Sequence, residues 1–119
     1  MTIAIAICTS VACDRNRRTA EGILARTIPA GHQVPSLAPA PTTGTAAQFT
    51  WDFETLVTAS DYIAWLKDQF RDYEIVADDA AHVRLAKVAP GDAYRLMVSL
   101  DPRGGGLTHV HAQLTIAPD

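Results

Sequence analysis

The sequence predicts an α+β fold of two layers, with one amphipathic helix laid on a mostly antiparallel sheet of about five strands in the order β-α-β-β-β-β. Three patterns predict it. Residues 48–54 alternate strictly between large apolar and polar side chains. Residues 58–73 carry apolar side chains at helical spacing. From Tyr73 onward the chain returns to period two in four short runs separated by turn residues.

The first strand runs from Gln48 to Glu54, with Phe49, Trp51 and Phe53 on one side and Gln48, Thr50, Asp52 and Glu54 on the other. Thr58 followed by Asp61 opens the helix in the manner of a capping box. Ala59, Tyr62, Ile63, Leu66, Phe70 and Tyr73 then share a face of roughly 100°, with Trp65 at its edge and Lys67, Asp68 and Arg71 opposite. Tyr73–Ala77 is a short strand, closed by the Asp78-Asp79 turn. His82–Val88 turns Val83 and Leu85 inward, and Ala89-Pro90-Gly91-Asp92 is a strong turn signal. Ala93–Leu100 places Tyr94, Leu96, Val98 and Leu100 on one face. A glycine-rich loop, Asp101–Gly106, leads to a last strand, Leu107–Ala117, with Val110, Ala112, Leu114 and Ile116 facing the core. The first strand can lie beside the last, which is the preferred arrangement, or pair in parallel with the strand after the helix through a right-handed crossover.

With 119 residues, 48% hydrophobic and 19% charged, the chain has room for one domain and something besides, and it is neither fully disordered nor polytopic. The charge is unevenly placed. Arg15, Arg17, Arg18 and Arg26 against Asp14 and Glu21 leave residues 14–46 at +2, and the total of −3 then leaves −5 on residues 47–119. An acidic domain behind a sparsely basic segment argues against a nucleic-acid partner and places the arginines near a membrane surface.

The chain divides into three segments: residues 1–12 as an apolar leader, 13–46 as a tether, and 47–119 as the α+β domain. The tether holds Pro29, Pro35, Pro39 and Pro41 with Gly22, Gly31 and Gly44 between them, a composition expected to stay extended. Within it, Thr19–Thr27 can form a short helical turn, with Ile23, Leu24 and Ile28 as candidate anchors for a partner. Trp65, at the edge of the helix face, is a further candidate docking residue.

The leader is an apolar run of signal-peptide length, too short to span a bilayer as a helix. It ends in Ser10-Val11-Ala12-Cys13, which resembles the lipobox of bacterial lipoproteins. The resemblance is confined to these residues and implies that Cys13 is diacylated and becomes the new N-terminus. It also implies export to a bacterial cell envelope, with the domain facing the periplasm or the cell exterior. Arg15, Arg17 and Arg18 come after the apolar run, whereas no basic residue precedes it, and the alternation of Ile3, Ile5 and Ile7 also fits a buried strand. With Cys8 in the leader and Cys13 lipidated, the mature chain has no cysteine to pair.

Candidate chemistry is sparse. His109 and His111, two apart in a strand, project from one face, and Asp52 and Glu54 share that face if the first strand neighbours the last. Two histidines and a carboxylate make a candidate zinc site, although carboxylates opposite imidazoles are also ordinary cross-strand pairs. Arg84 and Arg95 belong to the same polar face. His82 near Asp78 and Asp79 could exchange protons, but no serine sits in a nucleophile's setting. His32, in the tether, is expected to be solvated. Gly104-Gly105-Gly106 lies between two strands with no helix or lysine after it, so it reads as a hairpin loop rather than a phosphate cradle. The expectation is a non-enzymatic, membrane-anchored lipoprotein carrying a small interaction domain, an accessory subunit of an envelope or membrane complex. The alternative is a periplasmic domain binding a small ligand or metal through His109 and His111.

Overall fold

A computed structural model describes the backbone of residues 11–41 and 44–118, with side chains from Arg15 onward. The leader residues 1–10, Cys8 and Ser10 among them, lie outside the described residues, as does the side chain of Cys13. The elements are α1 (Val11–Thr27), β1 (Ala38–Ala40), β2 (Ala47–Thr55), α2 (Ala59–Gln69), β3 (Glu74–Asp78), β4 (His82–Ala89), β5 (Asp92–Pro102) and β6 (Thr108–Pro118). The strands form a six-stranded antiparallel sheet in the order β1-β2-β6-β5-β4-β3. The α+β class therefore holds, but with two helices and six strands.

The alternating runs explain the sheet. β2 and β6 pair along their whole length, from Ala47 opposite Ile116 to Thr55 opposite Thr108. β3 pairs with β4, so no parallel crossover joins β2 to β3. Each alternation puts one set of side chains under the helices and the other on an uncovered face. At the β4–β5 hairpin Ala89 faces Asp92, and Gly91 adopts φ 86° after Pro90, the left-handed position that glycine alone takes without strain. At the start of α2 the Thr58 hydroxyl accepts from the Asp61 backbone N–H at 3.3 Å, the expected cap.

The covered face is packed by Trp51, Leu85, Leu96, Val98, Leu114 and Ile116 from the strands and by Tyr62, Leu66 and Phe70 from the α2 segment. A third contribution comes from α1, and it corrects the reading of residues 13–46 as a tether. Ala20, Ile23, Leu24, Thr27 and Ile28 are buried in the same core. Their spacing of three and four puts them on one helix face. Averaged with the proline-rich stretch after it, that face is too short and too rich in small residues to stand out. Ile23, Leu24 and Ile28 are anchors, but they anchor the helix to its own sheet and are not displayed to a partner. The segment after α1 is also partly structured. It turns at Pro29–His32, where the His32 N–H donates to the Pro29 carbonyl at 3.2 Å, and then adds Ala38–Ala40 to the sheet edge, where Pro39 is tolerated.

One buried polar hub fixes α1. The Thr27 hydroxyl donates to the Leu24 carbonyl at 2.7 Å and accepts from the Trp51 indole N–H at 2.9 Å. The Tyr62 hydroxyl donates to the Thr27 carbonyl at 2.6 Å, while its burial holds the phenol well above the usual tyrosine range. One residue of α1 thus satisfies polar groups from β2 and α2. Nearby, Arg26 and Lys87 both clasp the Asp72 carboxylate, at 2.6 and 2.8 Å, so α1, the end of α2 and β4 meet at one charge. Hydrogen bonds from Arg26 and Lys87 hold Asp72 well below the usual carboxylate range. The Arg26 guanidinium also lies 4.3 Å from the centre of the Phe70 ring.

Thr27→Val keeps the shape of the hub and strands the buried Trp51 N–H. It should destabilise the chain by about 1–3 kcal/mol in urea unfolding with little change in the denaturant slope. Deleting residues 1–28 should abolish the cooperative transition. A truncated chain that unfolds at the parental midpoint would show that α1 is no part of the folding unit.

Candidate functional site

Both helices contribute to one core, and among the described residues no helix covers the other face of the sheet. Cross-strand register sets which side chains meet on it. Asp52 lies opposite His111, and His111 opposite Ser99, which in turn faces His82. Glu54 lies opposite His109, and His109 opposite Asp101. Further along, Thr50, Gln113, Met97 and Arg84 form one row, and Gln48, Thr115, Arg95 and Ala86 the next. One end of the face is therefore rich in histidine and carboxylate, and the other carries two arginines.

At the first end Asp52, His109 and His111 come together as the sequence predicts for β2 beside β6. A single oxygen, Asp52 Oδ1, lies 3.0 Å from His109 Nε2 and 2.7 Å from His111 Nδ1. A carboxylate only accepts, so both imidazole nitrogens donate, which fixes the tautomer of a neutral ring in each case. Partial burial pushes the Asp52 carboxyl up, but the hydrogen bonds and charge of His111 and His109 outweigh it and hold it below the ordinary value. Glu54 stands opposite His109 and forms no ion pair among the described residues. These four are the residues that could hold a metal. Among the described residues, however, no three histidine, cysteine or acidic side chains are arranged to hold one. Asp52 Oδ1 is engaged by two N–H donors, and a metal would have to displace both protons.

The order Asp52, His111, Ser99 resembles the order of side chains in hydrolytic triads, and sequence spacing alone does not bring Ser99 to this place. Strand register is the signal that finds it. The chemistry is incomplete: Ser99 makes no hydrogen bond to His111 among the described residues. Its strand neighbours also use their backbone N–H groups in the sheet ladder rather than aiming them at a developing oxyanion. The His82 and Asp79 side chains, a candidate proton-exchanging pair from the sequence, sit in a turn. Asp79 Oδ1 accepts from the backbone N–H groups of Ala81 and His82 at 2.7 and 2.8 Å, which hold its carboxyl low, and the His82 ring stands 3.4 Å away. His32 is not simply solvated. Its Nε2 lies 2.8 Å from Thr55 Oγ1 and its ring meets Phe53 edge-on, pinning the loop after α1 to the end of β2. A cleft of about 390 Å³ opens there, between residues 32–36 and Asp52–Glu54. Trp65 is half-buried against Tyr62, with ring centres 5.6 Å apart, at the margin of the core. The three glycines form a tight loop joining β5 to β6, with Gly105 and Gly106 at φ 77° and 82°, left-handed positions that suit glycine.

At the other end Arg84, Arg95, Gln113 and Thr115 rim a depression of about 460 Å³ floored by Ala86 and Met97. Both arginines are exposed, and neither meets a carboxylate among the described residues.

No protein-family model matches this chain, and neither a curated protein nor a solved structure matches it.

The lowered Asp52 carboxyl sets a pH dependence. A group whose acidity is increased by folding stabilises the fold above its unfolded value of about 3.9, and that contribution disappears as pH falls through the lower folded value. Asp52→Asn should therefore be less stable than the parent near neutral pH and converge with it in acid. Chemical denaturation of both proteins across pH measures this, and a gap that stays constant down to the acid end would show that the carboxylate charge is irrelevant.

Proposed function

We propose that the chain is an exported, lipid-anchored binding domain without a catalytic step of its own, which presents the uncovered face of its sheet at a bacterial membrane. The observation that carries this reading is the asymmetry of the sheet. One face is filled by two helices, and the other is left open with charged and hydrogen-bonding groups set in rows across it. A large polar face on a rigid ladder suits recognition.

The anchor rests on the lipobox-like Ser10–Cys13 and on the basic side chains just beyond it. Cys13 lies in α1, and from Arg15 onward the first buried side chain of that helix is Ala20. The intervening turns expose Arg15, Arg17 and Arg18. Arg15 reaches Asp92 at 3.3 Å, and Arg17 stands 3.8 Å from Glu21, with more than half of each arginine side chain exposed. Basic side chains beside a lipid attachment point add attraction to an anionic leaflet, at about 1 kcal/mol per residue near the surface. An acyl anchor reinforced by nearby cations gives the two signals that stable membrane binding needs. In this arrangement α1 joins anchor to core directly, so the domain stands close to the bilayer.

Expressed in a bacterial host, the parent chain should partition with membranes and be released by detergent. Its mass should correspond to a chain beginning at a diacylated Cys13. Cys13→Ser should appear in the soluble fraction with its fold intact by circular dichroism. A membrane-extracted parent with an unmodified N-terminus at Met1 would end the lipoprotein reading.

A further inference from the structure

The two arginines on the uncovered face are an unusual pair within this molecule. Lys67, Lys87 and five of the arginines each sit on a carboxylate. Arg18, Arg84 and Arg95 do not, among the described residues, and of these three Arg84 and Arg95 are neighbours on the sheet. Arg95 faces Ala86, and Arg84 is two residues before Ala86 on the same strand, so the guanidinium stems are diagonal partners on adjacent strands. Like charges so placed repel. Glu74, the nearest acidic residue by register, lies beyond Ala86 on β3 and forms no ion pair with either.

The surroundings complete a binding site. Met97 and Ala86 occupy the other diagonal and leave the space between the arginines free of a large polar group. Gln113 and Thr115 border the depression from β6. The Thr115 oxygen accepts from Gln48 Nε2 at 3.4 Å, which leaves its O–H free to donate into the depression. On the far side β3 contains a bulge between Ile75 and Ala77, and the extra residue, Val76, lines the rim with most of its surface exposed. Bulges re-aim side chains beside sites, and this one supplies an apolar wall.

We infer that the depression between Arg84 and Arg95 binds the phosphate of an organic phosphate ester, the apolar part of which lies against Val76 and Met97. Two planar guanidinium forks match the oxygens of one phosphate, and Gln113 and Thr115 supply neutral donors to those remaining. The bound anion removes the repulsion between the two arginines. The inference rests on the uncovered face being the working surface, but it does not depend on the lipid anchor. A phosphate ester in solution and an anionic phospholipid headgroup present the same group to this site.

The full-length Cys13→Ser chain separates the two sources and is independent of lipidation. Phenyl phosphate, followed by amide NMR shifts at Gln113 and Thr115 and by calorimetry, tests a soluble ligand. Equimolar phosphatidylcholine–phosphatidylglycerol vesicles, compared with phosphatidylcholine alone, test a headgroup. In either arm, Arg84→Gln with Arg95→Gln should weaken binding at least about tenfold, as removal of charge-assisted hydrogen bonds requires, with a melting temperature no lower than the parent's because the repulsion is removed. Saturable binding of phenyl phosphate lost in the double variant supports the site with a soluble source. Binding to anionic vesicles alone, again lost in the variant, supports it with a lipid source. Binding in neither arm, binding unchanged in the variant, or benzoate binding as tightly as phenyl phosphate would overturn the inference.

Discussion

The indole N–H of Trp51 is the constraint on which the rest of the structure depends. Trp51 is almost completely buried at the centre of β2, and an indole nitrogen placed there without an acceptor would cost about as much as a large share of a small domain's stability. The acceptor comes from Thr27, at the end of α1, and the same residue takes the Tyr62 hydroxyl on its carbonyl. The tryptophan therefore demands a partner from outside β2, and the demand is met only when α1 is seated over the sheet. Once seated, Arg26, one residue earlier, falls within reach of Asp72, and the charge cluster with Lys87 closes around it. A polar hub and a charged clasp thus occupy consecutive residues of one helix, one buried and the other at the rim.

Seating both helices on the same side determines what the other side is free to be. In an antiparallel sheet with one solvated face, that face needs only polar character, and scattered serines and threonines would suffice. This one is segregated instead. Asp52, His109 and His111 are hydrogen-bonded at one end, while Arg84 and Arg95 meet no carboxylate among the described residues at the other. Arg84 lies one row from Asp52 but three strands away, and Arg95 two rows and two strands away, so neither is placed to pair with that carboxylate. The separation keeps the carboxylate with the imidazoles.

The strands and α2 are legible in the sequence because each carries one period over its whole length. Phe49, Trp51 and Phe53 alternate without interruption, and Tyr62, Ile63, Leu66 and Phe70 keep helical spacing, so alternation and strand order together set Asp52 beside His111. The helix α1 escapes the same logic for a physical reason. Its buried face consists of Ala20, Ile23, Leu24, Thr27 and Ile28, in which an alanine and a threonine stand where larger side chains stand elsewhere. Thr27 is buried because of its hydroxyl, a role that depends on a tryptophan 24 residues away and leaves no periodic trace. β1 is hidden similarly: a three-residue edge strand among prolines gains its place from the neighbour it pairs with. Alternation places Arg84 and Arg95 on the polar face, but only the pairing of β4, β5 and β6 sets Ser99 beside His111 and Arg95 diagonal to Arg84.

The edges of the sheet are less open to strand addition than its uncovered face is to solvent. An open sheet offers unpaired backbone groups at both ends, and natural proteins blunt such edges. β1 is three residues long and contains Pro39, which has no N–H to donate. β3 is interrupted by the bulge at Val76 and begins and ends with Glu74 and Asp78, the latter held by Lys67 at 2.6 Å. Neither edge presents a long, flat ladder to a visiting strand. The bulge serves both ends: it breaks the edge and turns Val76 toward the arginines. Among the described residues the sheet is thus blunted at its margins, packed on one side and segregated by charge on the other, and the proposed binding role falls to the face that keeps its side chains in solvent.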